Sequence, residues 1–215
     1  MAKTTNMKIR TGYVLALSLL IGCAVSRKVE YGGIYANVPA FKERIGLACW
    51  DQREQVVNGS RHPDFVGYTR SGVGIAYPMG TADGRPFADN MTSSIAESLT
   101  KQGSTITGVI TSFNEQESQI LSQLKKTNSH RLILIDCKDF YTDGYGATSL
   151  MYNLQINIYG EQGDLLKQKT FSGKKALGGS AAWGPGNYKE YMPEAFKKLI
   201  EEIFNDSEIT AALQN

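Results

Sequence analysis

The segment Arg131–Phe140 constrains the fold of this chain more than any other. It reads Arg-Leu-Ile-Leu-Ile-Asp-Cys-Lys-Asp-Phe, apolar through its first half and alternating in its second. A short, continuous apolar run is typical of a strand that is buried on both faces. The sequence therefore predicts a central strand here, around which the rest of the chain must fold.

The residues after this strand predict an antiparallel hairpin. Thr148–Tyr159 alternates apolar and polar side chains, as a strand with one buried face does. Glu161–Asp164 has the composition of a turn, and Leu165–Gly173 returns along the first strand of the pair. The hairpin is expected to extend the sheet that contains the central strand.

The remaining periodic segments complete an α/β fold. Strands are predicted over Arg44–Asp51 and Ser104–Thr111, and helices over Pro86–Gln102, Asn114–Ser129, Tyr191–Asp206 and the short tail Glu208–Leu213. Right-handed crossovers place the first three strands in one parallel sheet, and helices must cover at least one of its faces. The predicted order is β-α-β-α-β-β-β-α. It describes a single domain over residues 44–215, with a mixed sheet of three parallel strands plus the antiparallel hairpin and a long loop at 54–85.

The start of the chain predicts export and lipid attachment. A basic leader precedes an apolar run from Tyr13 to Ile21, which is about half of the roughly 20 residues that span a bilayer. The run closes with Leu20-Ile21-Gly22-Cys23, which resembles the lipobox of bacterial lipoproteins. That resemblance implies a signal peptide over residues 1–22 and a lipidated Cys23. Ala24 resembles the sorting pattern for the periplasmic face of the outer membrane. An ordinary secretory signal and a buried apolar segment are the alternatives, and translation can start at Met1 or Met7.

Residues 23–43 are predicted to be a flexible tether. They show no sustained helical or strand period, and Gly32, Gly33 and Pro39 interrupt them. The alternative is a segment that becomes ordered on a partner, which its aromatic residues favour.

The composition of the chain limits the classes of partner and cofactor that it is predicted to bind. Basic and acidic residues are interspersed, with a net charge of +2, and no basic stripe predicts nucleic-acid binding. His62 and His130 have no Cys or His at metal-ligand spacing, so no metal or other cofactor is predicted. Cys49 and Cys137 both fall in predicted strands, where they can form a disulfide or pack as free thiols; the second is the prediction.

Two segments rich in glycine and aromatic residues are predicted to contact a partner. They are the loop Glu54–Arg85 and the loop Ala176–Asn187. Long loops with this composition are typical of binding elements, although a loop packed on itself over a sheet edge is the alternative. The candidate contacts are Phe65, Tyr68, Tyr77, Trp183 and Tyr188.

The end of the first predicted strand carries the best polar candidates, Asp51 and Arg53. Ligands of open α/β sheets bind outside the carboxyl ends of strands, so these side chains can contact a ligand or partner. The alternative is a structural ion pair. Asp136 and Asp139 are expected on opposite faces of their strand and so cannot work as a pair. No G-x-S-x-G motif is present, and no catalytic residue is predicted.

The lipobox, the strand ending Trp50-Asp51-Gln52-Arg53 and the element order together resemble a group of small bacterial outer-membrane lipoproteins. The group includes the YajG-type uncharacterised lipoproteins and the lipoprotein activators of peptidoglycan synthases. The anchor, the tether, the aromatic-rich loops and the lack of catalytic groups together predict a membrane-anchored, non-enzymatic accessory protein that binds envelope proteins of a secretion, motility or peptidoglycan machinery. The alternative is a domain that binds, or less readily hydrolyses, glycan or lipid at Asp51, Arg53 and the 54–85 loop.

Overall fold

The computed structural model of the chain describes residues 27–71, 73–145, 147–179 and 187–214. Strands and helices alternate along most of this length. The strands are β1 (Lys28–Val29), β2 (Ile45–Asp51), β3 (Phe65–Arg70), β4 (Ala76–Thr81), β5 (Ile106–Val109), β6 (Arg131–Tyr145), β7 (Ala147–Gly160) and β8 (Leu165–Gly179). The helices are α1 (Glu54–Val57), α2 (Phe87–Lys101), α3 (Glu117–Lys125), α4 (Tyr188–Phe204) and α5 (Ser207–Gln214).

Strand β6 organises a mixed sheet. On one side, its first half pairs in parallel with β2 and its second half in parallel with β3. On the other side it pairs in antiparallel fashion with β7, which in turn pairs with β8. Strand β5 lies beside β2, while β4 and then β1 lie beyond β3. The predicted α/β class is confirmed, including the three parallel strands (β5, β2 and β6) and the antiparallel hairpin; the element order differs.

The main core lies between one face of this sheet and helices α2, α4 and α5. Helix α2 contributes Phe87, Met91, Ile95 and Leu99, which recur every fourth residue and are all buried. Helix α3 packs on the opposite face, where its Ile120 and Leu124 belong to a smaller cluster. Removing these apolar surfaces from water is what holds the helices to the sheet.

The prediction of a long loop over 54–85 is wrong, because this segment folds into α1, β3 and β4. Gly67 conceals the strand pattern of β3. It has a φ of 144°, and a Cβ added to it would lie 2.4 Å from the carbonyl oxygen of Thr142. Only glycine fits this close approach to β6, and it lies at an irregularity in the pairing with β4. Pro78, which is exposed, interrupts the sequence pattern of β4.

The prediction of a flexible tether over 23–43 is wrong for the residues from Lys28 onward. Val29, Tyr31 and Phe41 are buried in the main core. Serine side chains of the domain bond to the backbone of this segment. Ala36 N donates to Ser98 Oγ at 3.0 Å, and Ser94 Oγ donates to the Tyr31 carbonyl at 2.5 Å. The sequence of this segment has no helical or strand period because its backbone groups are hydrogen-bonded more by side chains than by pairing with a neighbouring strand.

Cys49 and Cys137 are free, buried thiols, as predicted. They lie on the core face of neighbouring strands, where Cys49 is opposite Ile135 and Cys137 is opposite Asp51. Burial raises the pKa of the Cys49 thiol to about 12. These thiols are therefore poor nucleophiles in the folded protein.

No helix within the described residues is long and apolar enough to cross a membrane. The predicted signal peptide over 1–22, Cys23, Ala24 and Trp183 all lie outside the described residues.

Candidate functional site

A buried ion pair closes the end of β2. Arg53 Nε donates to Asp51 Oδ1 at 2.8 Å, and Arg53 Nη2 donates to Asp51 Oδ2 at 2.6 Å. The remaining guanidinium hydrogens reach backbone carbonyls, with Nη1 at 2.5 Å from Phe65 O and Nη2 at 3.0 Å from Pro63 O. A longer bond of 3.3 Å joins Nη1 to Phe140 O. One side chain thereby connects β2, β3 and β6.

This ion pair is structural. Arg53 is 0% exposed and Asp51 is 3% exposed, so neither side chain is open to a ligand or partner. Burial disfavours the charge of Arg53, but the hydrogen bond and the negative charge of Asp51 raise its pKa above the ordinary value. Of the two interpretations of Asp51 and Arg53, the structure supports the internal ion pair, since every strong contact of Arg53 is internal.

A pocket of about 370 Å³ opens beside this ion pair and is called the aromatic pocket below. Its walls come from α1, β3 and the second half of β6. Phe65 and Tyr68 face it with their rings 4.9 Å apart in an edge-to-face arrangement. The lining residues are Glu54, Gln55, Phe65, Tyr68, Lys138, Asp139 and Tyr141.

A second pocket, of about 420 Å³, lies on the other side of Phe65 and is called the basic pocket below. Arg61 lines the basic pocket and reaches a residue of the aromatic pocket, since its Nε donates to the Tyr68 hydroxyl at 3.0 Å. Asp64 pairs with Lys28 at 3.1 Å and with His62 at 3.0 Å, which neutralises part of the positive charge. The lining residues are Arg27, Lys28, Ser60, Arg61, His62, Asp64, Phe65, Pro78, Met79 and Gly80.

The structure brings some of the predicted contacts together and separates others. Phe65 and Tyr68 share the aromatic pocket, although Phe65 is 3% exposed and contributes little accessible surface. Tyr77 is half-buried on β4, opposite Thr69 of β3. Tyr188 begins α4, packs against the main core and lines neither pocket.

Sequence reasoning missed four residues of the aromatic pocket: Glu54, Gln55, Lys138 and Tyr141. Tyr141 directly follows the predicted end of the central strand at Phe140, and β6 continues to Tyr145. Phe140 and Thr142 alternate with Tyr141 and Asp143 on the opposite face. This alternation is the sequence signal that could have extended the predicted strand beyond Phe140.

Asp136 and Asp139 lie on the same face of the sheet, contrary to the prediction. Asp136 is opposite Gln155 and Asp139 is opposite Asn153, and these partners are two residues apart on β7. A bulge at Lys138 inserts one extra residue and reverses the alternation. Asp139 lines the aromatic pocket, whereas Asp136 belongs to a polar cluster farther along the same face.

The polar cluster consists of Asp136, Gln155 and Asn157, and Asp136 supplies its buried carboxyl group. Asp136 Oδ2 accepts hydrogen bonds from Asn157 Nδ2 at 3.0 Å and Gln155 Nε2 at 3.3 Å. Three buried polar atoms of this face have no partner among the described residues: Asp136 Oδ1, Asn153 Oδ1 and Trp50 Nε1. Burial, opposed in part by the Asn157 hydrogen bond, raises the pKa of Asp136 to about 6.

Asp136 is expected to make the protein less stable as the pH rises. Its pKa lies above that of an unfolded aspartate, so the native state binds more protons between about pH 4 and 6 and loses stability across this range. Asp136→Asn is expected to raise the free energy of unfolding by about 2–3 kcal/mol near pH 7 and to change it little near pH 4. Urea unfolding at both pH values measures this. Glu161→Gln in the exposed β7–β8 turn is the control, and an equal gain at both pH values would contradict the prediction.

The fold and these pockets define a class of protein: a single α/β domain whose mixed sheet is covered by helices mainly on one face. Scans against protein-family models and curated proteins find no match. Among solved structures, protein XCC0632 from Xanthomonas campestris, of the DUF330 family, aligns with a TM-score of 0.50 and 13% identity over 86% of this chain and 92% of that chain.

Two other bacterial structures align over similar shares. Hypothetical protein CT253 from Chlamydia trachomatis has a TM-score of 0.43 and 9% identity over 79% of this chain and 94% of that chain. Lipoprotein GNA1162 from Neisseria meningitidis has a TM-score of 0.38 and 11% identity over 78% of this chain and 100% of that chain. At these identities the likeness to XCC0632 concerns the fold alone.

Proposed function

We propose that this chain is a membrane-anchored periplasmic lipoprotein that acts as a non-enzymatic, partner-binding accessory component of an envelope assembly. The leader, the lipobox resemblance at Cys23 and the sorting pattern at Ala24 support attachment to the periplasmic face of the outer membrane. The partners are envelope proteins of a secretion, motility or peptidoglycan machinery. The aromatic pocket is the contact surface.

The single observation that carries this proposal is the composition of the aromatic pocket. Tyr68 and Tyr141 are half-buried, so each offers a fixed apolar ring and a hydroxyl to a partner. Glu54 and Lys138 are exposed at the rim with opposite charges. A surface with tyrosine residues at its centre and charged residues at its rim is typical of protein–protein interfaces.

The ion pair beneath the pocket supports the same function. Arg53 bonds to the carbonyls of Phe65 and Phe140, which lie next to the pocket walls on β3 and β6. These bonds fix the spacing of the two strands before any partner arrives. A preformed surface loses less conformational entropy on binding, so a modest pocket can bind with useful affinity.

Photo-crosslinking in cells tests the contact surface. A benzophenone amino acid replaces Tyr141 in one strain and Tyr35 in another; Tyr35 is an exposed aromatic residue outside the pocket. We expect the chain to crosslink to a defined set of envelope proteins from position 141 and not from position 35. Equal crosslinking from both positions, or none from position 141, would contradict the proposal.

Substitutions at the rim and the centre are expected to weaken the contact without unfolding the domain. Tyr141→Ala and Glu54→Arg should each reduce the recovery of those partners in affinity purification by about tenfold, which corresponds to about 1.4 kcal/mol. Glu161→Arg, which reverses an exposed charge in the β7–β8 turn, should leave recovery unchanged. Circular dichroism and thermal melts of all three variants verify that the fold is retained.

A further inference from the structure

We infer that the tip of the β3–β4 hairpin, together with Arg27 and Tyr77, rests on the bilayer surface beside the lipid anchor. The described residues of the tip are 71 and 73–75. Its Val73 is 83% exposed and its Ile75 is 55% exposed, the two largest values among the large hydrophobic side chains of the described residues. This inference rests on the lipid anchor of the proposed function and adds a surface to it.

The tip is built so that its apolar side chains can leave water. Ser71 N donates to Ile75 O at 2.9 Å, and Gly74 N donates to Ser71 O at 2.8 Å. Ile75 N donates to Ser71 Oγ at 3.1 Å. Because these three backbone N–H groups are satisfied within the turn, they add no unpaired donor when Val73 and Ile75 enter a lipid interface.

The direction of the chain brings the anchor to this end of the sheet. Strand β1 runs parallel to β4, with Lys28 opposite Gly80 and Val29 opposite Thr81. Strand β4 itself starts at the hairpin tip, so the parallel direction of β1 places Arg27 on the tip side of Lys28. The predicted acylated Cys23 is four residues before Arg27, a reach of at most about 14 Å.

The flanking residues match the chemistry of a bilayer surface. The guanidinium carbon of Arg27 lies 3.9 Å from the centre of the Tyr77 ring. Tyrosine rings concentrate at the level of lipid headgroups, and an adjacent arginine is attracted to anionic headgroups. A bilayer is the occupant that fits, because the predicted acylated Cys23 lies within about 14 Å of Arg27, which itself contacts Tyr77 beside the tip.

An environment-sensitive fluorophore measures this contact in the lipidated protein. Val73→Cys is labelled with a nitrobenzoxadiazole dye; Cys49 and Cys137 are buried and do not compete. The protein is reconstituted in vesicles of phosphatidylethanolamine with a minority of phosphatidylglycerol. Glu161→Cys, in the turn at the opposite end of the sheet, carries the control label. We expect blue-shifted emission, quenched by lipids with a spin label near the headgroup, at position 73 and aqueous emission at position 161.

Further variants and outcomes test the contact of the tip with the bilayer separately from the acylation of Cys23. Ile75→Asp should reduce the blue shift at position 73, whereas Leu166→Asp, an exposed aliphatic position on β8, should not. Intact mass shows whether Cys23 is acylated. An acylated protein with aqueous emission at position 73 overturns the inference and leaves the anchor standing. An unacylated protein overturns both. A blue shift that follows protein concentration at constant lipid indicates contact between copies and also overturns the inference.

Discussion

Arg53→Met is expected to lower the free energy of unfolding by about 3–5 kcal/mol, the range for removing one partner from a buried ion pair. Methionine keeps most of the apolar volume but leaves the Asp51 carboxylate, which is 3% exposed, without its cation. It also leaves the Phe65 and Pro63 carbonyls without the donors that now reach them at 2.5 and 3.0 Å. Urea unfolding followed by circular dichroism measures the change.

A double-mutant cycle identifies the source of this effect. Asp51→Asn combined with Arg53→Met removes the unpaired charge, so the pair of substitutions should cost less than the sum of the single ones. The matched surface control is Lys198→Met, which breaks the exposed pair between Lys198 and Glu194 at 3.5 Å. That substitution should cost only a few tenths of a kcal/mol, roughly 0.3–0.5. A similar small cost for Arg53→Met would show that the ion pair does not organise the pocket.

Tyr31→Ala is expected to lower the free energy of unfolding by about 3–5 kcal/mol, as truncation of a buried aromatic side chain does. The Tyr31 ring lies 5.0 Å from that of Phe87 and 5.3 Å from that of Phe196, both in edge-to-face contact. Chemical denaturation measures the loss. The result also decides whether the N-terminal segment belongs to the domain, because a flexible tether would give no change.

Tyr31→Phe is the matched control for that truncation. The Tyr31 hydroxyl is buried and has no hydrogen-bond partner among the described residues, and its desolvation raises its pKa. Removing only this group keeps the ring contacts and relieves the desolvation, so the free energy of unfolding should stay the same or rise by about 1 kcal/mol. A loss comparable to that of Tyr31→Ala would mean that the hydroxyl, and not the ring, makes the important contact.

The parts of the fold that could be predicted are those whose hydrophobic period is long and unbroken. Helix α2, the strand β6 and the β7–β8 hairpin all follow from such periods, and each bound lies within a few residues of its prediction except for the ends of β6 and β8. Strands β3 and β4 could not be found in the same way. Gly67 and Pro78 break the alternation of apolar and polar side chains that marks a strand. A glycine is required at position 67 because the backbone of Thr142, which is distant in sequence, lies too close for a Cβ.

The candidate site was predicted only in part, for two physical reasons. Arg53 was recognised as important, but a sequence cannot show that the carbonyls of Pro63, Phe65 and Phe140 converge on it. The bulge at Lys138 has no sequence signal that we recognise, yet it decides which face Asp139 occupies. The aromatic pocket depends on both features, so its full set of residues emerges only from the three-dimensional arrangement.

The contact between Tyr31 and Phe196 also bears on when the protein can fold. Phe196 lies 165 residues after Tyr31, so the aromatic core joins the two extremes of the domain. A chain that crosses the inner membrane from its N-terminus cannot assemble this core until α4 has followed, since contacts of such sequence separation form only after the intervening chain is available. On the proposed export route, this domain therefore folds only when export is nearly complete, so that the chain crosses the membrane unfolded and completes its aromatic core on the periplasmic side.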